Sequence, residues 1–143
     1  MPTFSHSIDI DATPEQVWAV MGDLVAVDRW VPGIAAVAVE GMSRVCTFQD
    51  GHTQHEQILD YSPQTRSYRY QIEGAPLPVT QNTGSFQVQE AGAVSRVVWE
   101  SSFTPLDPAM ADQLATMWEP YLPLVLANLK SLVEGVRIPR HPR

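Results

Sequence analysis

The stretch from Asp107 to Glu134 constrains this chain most. Met110, Leu114, Met117, Tyr121, Val125, Leu129 and Leu132 recur at steps of three or four, which puts a continuous apolar stripe on one helical face. Asp107 can cap such a helix, and Pro108 suits its first position, where a backbone N–H has no partner to lose. A stripe of that length needs a surface to cover, and residues 3–103 supply one, because they read mostly as strands with alternating apolar and polar residues. The expected architecture is α+β: a curved antiparallel sheet closed over a long C-terminal helix. Pro120 and Pro123 interrupt the run. Each crowds the carbonyl four residues back, at Thr116 and Glu119, so a kink or restart is expected near Glu119. Two shorter helices in line, or a bend at the mouth of a cavity, would both satisfy it.

At 143 residues the chain fits one domain with a real core. The net charge is −7, and Arg137, Arg140 and Arg143 fall at the very end, so the body is more acidic than the total indicates. That balance argues against nucleic acid and against an anionic membrane surface. The expected layout is a ligand-binding domain over 1–135 followed by a flexible basic tail over 136–143. One cysteine, Cys46, rules out an internal disulfide and a multi-cysteine metal site. With no leader-like start and no spanning apolar run, the expectation is a soluble, cytoplasmic monomer or homodimer with no membrane insertion.

Read in order, residues 3–11 alternate, with Phe4, His6, Ile8 and Ile10 on one side. Thr13-Pro14-Glu15-Gln16 is a capping box that opens a helix closed by Gly22. A second short helix is expected from Asp23 to Trp30, ending at Val31-Pro32-Gly33. Strands are then expected over 35–40, 44–49, 52–61, 67–73, 80–90 and 94–103. Asp50-Gly51 makes one hairpin turn, and Gly74-Ala75-Pro76 forms another break. The order is strand, two helices, six strands, long helix.

Parity assigns the faces. If Ser85, Gln87 and Gln89 face water, then Asn82, Gly84 and Phe86 face inward; Tyr68, Tyr70 and Ile72 do likewise, as do Val97, Trp99, Ser101 and Phe103. Arg44, Cys46 and Phe48 form the inner set of their strand, and the Asp50-Gly51 turn brings Arg44 nearly opposite Glu56. The inner face then carries His6, Arg44, Glu56, Tyr68, Tyr70, Asn82 and Ser101, more polar groups than a plain core accepts. Such groups must bond one another, bond water, or line a cavity. The cavity fits best, and a mostly apolar pocket with a few directed polar groups suits a small molecule.

These residues carry a resemblance. Pro14-Glu15-Gln16-Val17-Trp18, Trp30-Val31-Pro32-Gly33, Glu40-Gly41 with Arg44, Asp50-Gly51 with Glu56, Tyr68-Arg69-Tyr70, Leu77-Pro78-Val79, Trp99 with Phe103, and Asn128-Leu129-Lys130 make the chain similar to the polyketide cyclase and dehydratase branch of the START-like (SRPBCC) helix-grip superfamily. The resemblance implies a seven-stranded sheet gripping the last helix. It also implies an apolar ligand, and either cyclase, hydrolase, carrier or chaperone-activator roles. Where relatives often have an acidic and an aromatic residue after Leu-Pro-Val, this chain has Gln81-Asn82. That departure removes the general acid or base which the resemblance would imply at 81 and makes Asn82 a candidate for orienting a substrate carbonyl.

Arg44 and Glu56 read in two ways. One is a buried ion pair that fixes the hairpin register. In the other, Arg44 polarises a carbonyl while Glu56 moves a proton. With Tyr70 and His6 they are the catalytic candidates, although a lone inward histidine is also an ordinary core residue. Trp30 at the pocket entrance, Phe48, Asn82, Trp99, Ser101, Met117, Trp118 and Tyr121 are the substrate-binding candidates, with packing as the plain alternative for each aromatic. His52 and His55 lie three apart on a strand, so they face opposite sides and cannot share a metal. Cys46 reads as a small apolar residue rather than a nucleophile. The sequence therefore points to a small enzyme without metal or cofactor that cyclises or dehydrates a hydrophobic aromatic or polyketide-like molecule. The alternatives are a non-catalytic carrier or sensor of a hydrophobic molecule or lipid, and an accessory protein that binds another protein.

Overall fold

In the computed structural model, the structure describes residues 2–73 and 77–137. The expected break at Gly74-Ala75-Pro76 and most of the expected tail therefore lie outside the described residues. Seven strands form one antiparallel sheet: β1 (Thr3–Ile10), β2 (Ile34–Glu40), β3 (Ser43–Phe48), β4 (Thr53–Ser62), β5 (Ser67–Glu73), β6 (Val79–Ala91) and β7 (Val94–Pro105). Their order across the sheet is β1-β7-β6-β5-β4-β3-β2, with every neighbour antiparallel. This is the expected helix-grip sheet.

Two bulges bend it. The pairing shifts between Leu59 and Ser62 in β4 and between Thr80 and Thr83 in β6. Asp60 and Gln81 take left-handed backbone angles at those points, with φ of 50° and 52°. An extra residue on one strand raises the local twist and curls the sheet, which here makes the concave face. The Gln81 side chain bonds Thr104 Oγ1 at 2.7 Å on the exposed side, so a proton-transfer role for position 81 has no cavity to serve.

Because β1 and β2 follow one another in sequence yet sit at opposite margins, residues 11–33 must cross the sheet. They do so as α1 (Pro14–Met21) and a 3₁₀ segment (Leu24–Arg29). The capping box forms as read: Gln16 N–H donates to Thr13 Oγ1 at 3.1 Å, and Thr13 N–H donates to Gln16 Oε1 at 2.9 Å. The second short helix is also where it is expected. It is 3₁₀ with a kink at Ala26, because too few residues separate Gly22 from Pro32 for an α-helix to repay its nucleation.

At the C-terminal end Asp107 caps a 3₁₀ turn, its Oδ1 accepting from Ala109 N–H at 3.0 Å. Then come α2 (Ala111–Trp118) and α3 (Tyr121–Arg137). The break at Glu119-Pro120 is where the prolines place it, and it changes the phase of the stripe. Leu114, Leu122, Val125, Leu126, Leu129 and Val133 are buried, whereas Met117 is 62% exposed and Leu132 is only half-buried. A helix restarted after a proline keeps no memory of the earlier register, so the stripe read across residues 110–132 is replaced by two offset ones.

Replacing Leu122 (fully buried) with Ala should cost about 2 to 5 kcal/mol, while Leu124→Ala, at an exposed site one step round the same helix, should cost less than about 0.5 kcal/mol. Urea denaturation of the two variants separates this phase from the continuous one.

A donor-lined cavity between sheet and helices

A cavity of about 290 Å³ opens between the concave sheet, the 3₁₀ segment and the α2–α3 break. Its floor comes from β3, β4 and β5, where period-two alternation aims Arg44, Cys46, Phe48, Gln54, Glu56 and Tyr70 inward. Trp30, Phe86, Trp99, Trp118 and Tyr121 add aromatic walls. Phe86 is the hub of the packing, with Trp99 stacked at 4.9 Å and Trp30 edge-on at 5.3 Å. Trp30 is 1% exposed, so it is an inner wall rather than the entrance expected from its Pro-Gly turn.

Arg44 and Glu56 are direct cross-strand partners and both are buried. Glu56 Oε1 accepts from Arg44 Nε at 3.2 Å and from Nη2 at 2.6 Å; Oε2 accepts from Gln54 Nε2 at 2.9 Å and Cys46 Sγ at 3.6 Å. A carboxylate has about four lone-pair sites, so Glu56 is fully engaged. Arg44 is not. Its Nη1 donates to Leu24 O at 3.1 Å, which with the two bonds to Glu56 uses three of a guanidinium's five N–H groups. The other two have no acceptor at hydrogen-bond distance among the described residues, and the Tyr68 hydroxyl lies beside the guanidinium. Burial opposes the Arg44 charge most strongly, but Tyr68 and Glu56 together outweigh it and hold the guanidinium above its ordinary range.

Tyr70 is the second donor. Its hydroxyl accepts from Trp99 Nε1 at 2.9 Å, which leaves the phenolic hydrogen for the cavity that the ring lines. Burial raises the Tyr70 phenol well above its usual range, so it stays protonated at neutral pH. Gly84, paired directly with Tyr70, makes the placement possible: a Cβ there would fall 2.2 Å from the Tyr70 hydroxyl oxygen. Two further buried polar groups, Trp30 Nε1–H and the Tyr68 hydroxyl beside Arg44, have no partner at hydrogen-bond distance among the described residues.

The other candidates fall elsewhere. His6 shares a face with Trp99, its pairing partner, but its ring reaches Glu119 Oε2 at 3.3 Å and does not line the cavity. Ser101 is buried and accepts from Trp118 Nε1 at 3.0 Å, so it positions a wall rather than touching the cavity. Asn82 and Met117 line a second hollow of about 260 Å³, which shares Leu77, Trp118 and Tyr121 with the first. Cys46 is buried, and burial with the nearby Glu56 pushes its thiol up to about 12. Among the described residues no group of three or more His, Cys, Asp or Glu is arranged to hold a metal.

Reading by residue type missed Gln54, which steadies Glu56, and His52, which lines the cavity. Parity could have found both, since His52, Gln54 and Glu56 fall at steps of two on one face.

A curved sheet closed on a broken helix, with polar groups looking into an apolar hollow, defines a helix-grip protein built around an internal cavity. The family model described as "Polyketide cyclase / dehydrase and lipid transport" matches residues 1–134, and the chain belongs to that family. No curated protein matches it significantly. Among solved structures, XoxI from Bacillus cereus is 27% identical, with a TM-score of 0.84 over 96% of this chain and 99% of its own. The di-domain ARO/CYC BexL of the BE-7585A biosynthetic pathway is 22% identical, with a TM-score of 0.80 over 97% of this chain, which spans 48% of that protein. Norcoclaurine synthase from Thalictrum flavum, solved in complex with dopamine and hydroxybenzaldehyde, is 16% identical, with a TM-score of 0.74 over 93% of this chain and 86% of its own. At those identities the last two show the fold alone. No described helix is long and apolar enough to cross a membrane.

Gly84→Ala should drive the Tyr70 ring from its seat, break the Trp99 bond and shift Trp fluorescence, with a stability loss of about 1 to 3 kcal/mol on urea denaturation. The Cys46 thiol should resist iodoacetamide in the folded protein at pH 8 and react quickly once urea exposes it, because unfolding returns it to an ordinary thiol pKa near 8.5. Mass spectrometry of the alkylated protein reads both states.

Proposed function

We propose that the cavity binds an apolar, aromatic or polyketide-like molecule by a carbonyl, enol or carboxylate oxygen, held by the two free N–H groups of Arg44 and the Tyr70 hydroxyl. One observation carries this reading: the two fixed groups of the floor, the Arg44 guanidinium and the Tyr70 hydroxyl, both keep an N–H or O–H to give, which suits an oxygen that accepts. Trp99, Phe86 and Phe48 supply flat walls for an aromatic body. Family membership favours the same class of ligand.

Donors fixed in an aromatic-walled floor bind an oxygen more strongly as it gains negative charge, as a carbonyl does on becoming an enolate. Cyclisation or dehydration of a carbonyl compound passes through such a species and needs no cofactor. Arg44 and Tyr70 then stabilise the developing oxyanion, and Glu56 anchors Arg44 rather than moving a proton. The same full occupancy of Glu56 favours a second reading, a carrier that holds its ligand unchanged.

Mass spectrometry of molecules co-purified from the source organism, followed by incubation with the purified protein, separates the two: an altered product supports turnover, and an unaltered ligand supports carriage. For the binding site itself, 1-tetralone, an apolar bicyclic ketone, is a suitable probe. The double variant Arg44→Met, Glu56→Gln removes both charges together, which avoids leaving one buried alone. It should remain folded by circular dichroism and bind 1-tetralone at least tenfold more weakly by Trp fluorescence quenching, about 1.4 kcal/mol. Equal affinity in the variant would overturn the assignment of Arg44.

A further inference from the structure

The cavity has a second pole, of opposite character. His52 stands just before β4, at its mouth, in the same inward row as Gln54 and Glu56. Its side chain is 35% exposed, and its ring lies flat on Phe48, with centroids 4.5 Å apart and planes 6° from parallel. Asp50 fixes the ring from outside. One carboxylate oxygen, Oδ1, accepts from the His52 backbone N–H at 3.0 Å and faces His52 Nδ1 at 2.5 Å. Gly51, with φ of 93°, provides the tight turn that lets Asp50 fold back on the residue two ahead.

The tautomer follows. An ionised carboxylate can only accept, so in neutral His52 the proton sits on Nδ1 and the lone pair on Nε2. Nε2 has no hydrogen-bond partner among the described residues. The floor therefore offers donors, and the mouth offers an acceptor. Four residues on a strand separate His52 from Glu56, roughly 13 Å between Cα atoms. An aromatic ketone with a hydroxyl across the ring spans about 7 to 8 Å between its oxygens, and a hydrogen bond at each end adds about 2.8 Å.

We propose that Asp50 and His52 form a second recognition pole, which selects ligands bearing an ionisable hydroxyl, a phenol or enol, at the end opposite the oxygen that Arg44 and Tyr70 hold, and which takes that hydroxyl's proton. In the transfer the ligand O–H bond breaks, its electron pair stays on oxygen, and the proton joins His52 Nε2. The resulting imidazolium faces the Asp50 carboxylate. Charge released at the hydroxyl passes through the ring to the carbonyl oxygen, where the floor donors receive it, so the two poles reinforce one another. His52 thereby supplies the base that Glu56, with its oxygens occupied, does not. This inference rests on the donor-lined floor proposed above.

The test compares 6-hydroxy-1-tetralone with 1-tetralone at neutral pH, reading affinity by Trp fluorescence quenching and the protonation state by the ultraviolet band, which moves to longer wavelength when the phenol ionises. Wild type should prefer the hydroxyketone at least tenfold and shift its band on binding. His52→Gln should reduce the preference below about threefold and abolish the shift. Asp50→Asn, which frees the tautomer, should fall between. A preference and band shift that survive in His52→Gln, or no preference in wild type while 1-tetralone binds, would overturn the second pole alone. Failure of both ketones to bind wild type would instead strike the donor-lined floor, and the second pole with it.

Discussion

The buried pair of Arg44 and Glu56 governs the interior. Two opposite charges withdrawn from water cost several kcal/mol each and are held only by close geometry and full hydrogen bonding. Glu56 meets that demand four times over, through Arg44, Gln54 and Cys46. Slipping β3 against β4 by one residue would put the two charges on opposite faces of the sheet and by two would separate them along it, so the pair also sets which side chains of the hairpin look inward. Breaking it from one side leaves a lone charge in the core. The register of the floor and the electrostatics of the cavity thus share one origin.

The aromatic shell answers a different need. A hollow inside a protein forfeits the dispersion contacts that a filled core would make, so its walls must hold themselves up. Here they do so by bonding in pairs: Trp99 to Tyr70, Trp118 to Ser101, Phe48 under His52. Each of these wall residues is fixed by a polar handle or a ring contact. Gly84 belongs to the same scheme, because its missing side chain is the seat of the Tyr70 hydroxyl.

How much of this was legible in the sequence follows from which physical rule each feature obeys. Strand parity is strict, so the inward set of Arg44, Cys46, Tyr68, Tyr70 and Trp99 could be read from alternation, and the Asp50-Gly51 turn was enough to place Arg44 against Glu56. The capping box at Thr13 was equally local. Helical phase across Pro120 was not, since a restarted helix takes its rotation from what it packs on; Met117 accordingly lies exposed and Leu122 buried. The free N–H groups of Arg44, the saturation of Glu56 and the fold-back of Asp50 onto His52 depend on side-chain torsions that no pattern of residue types encodes. His6 illustrates the same limit, since the correct face of β1 still left its ring beside Glu119.

The separation of β1 and β2 to opposite margins has a temporal side. The hairpin bearing Arg44 and Glu56 is a neighbourly affair of a dozen positions, but Tyr70 acquires its Trp99 anchor only across 29 residues, and β1 must wait for β7, whose Ser102 pairs with Thr3. Non-local closure of this kind is slow relative to hairpin formation. A nascent chain leaving the ribosome will thus carry its charged hairpin long before it owns a chamber, which only the finished molecule encloses.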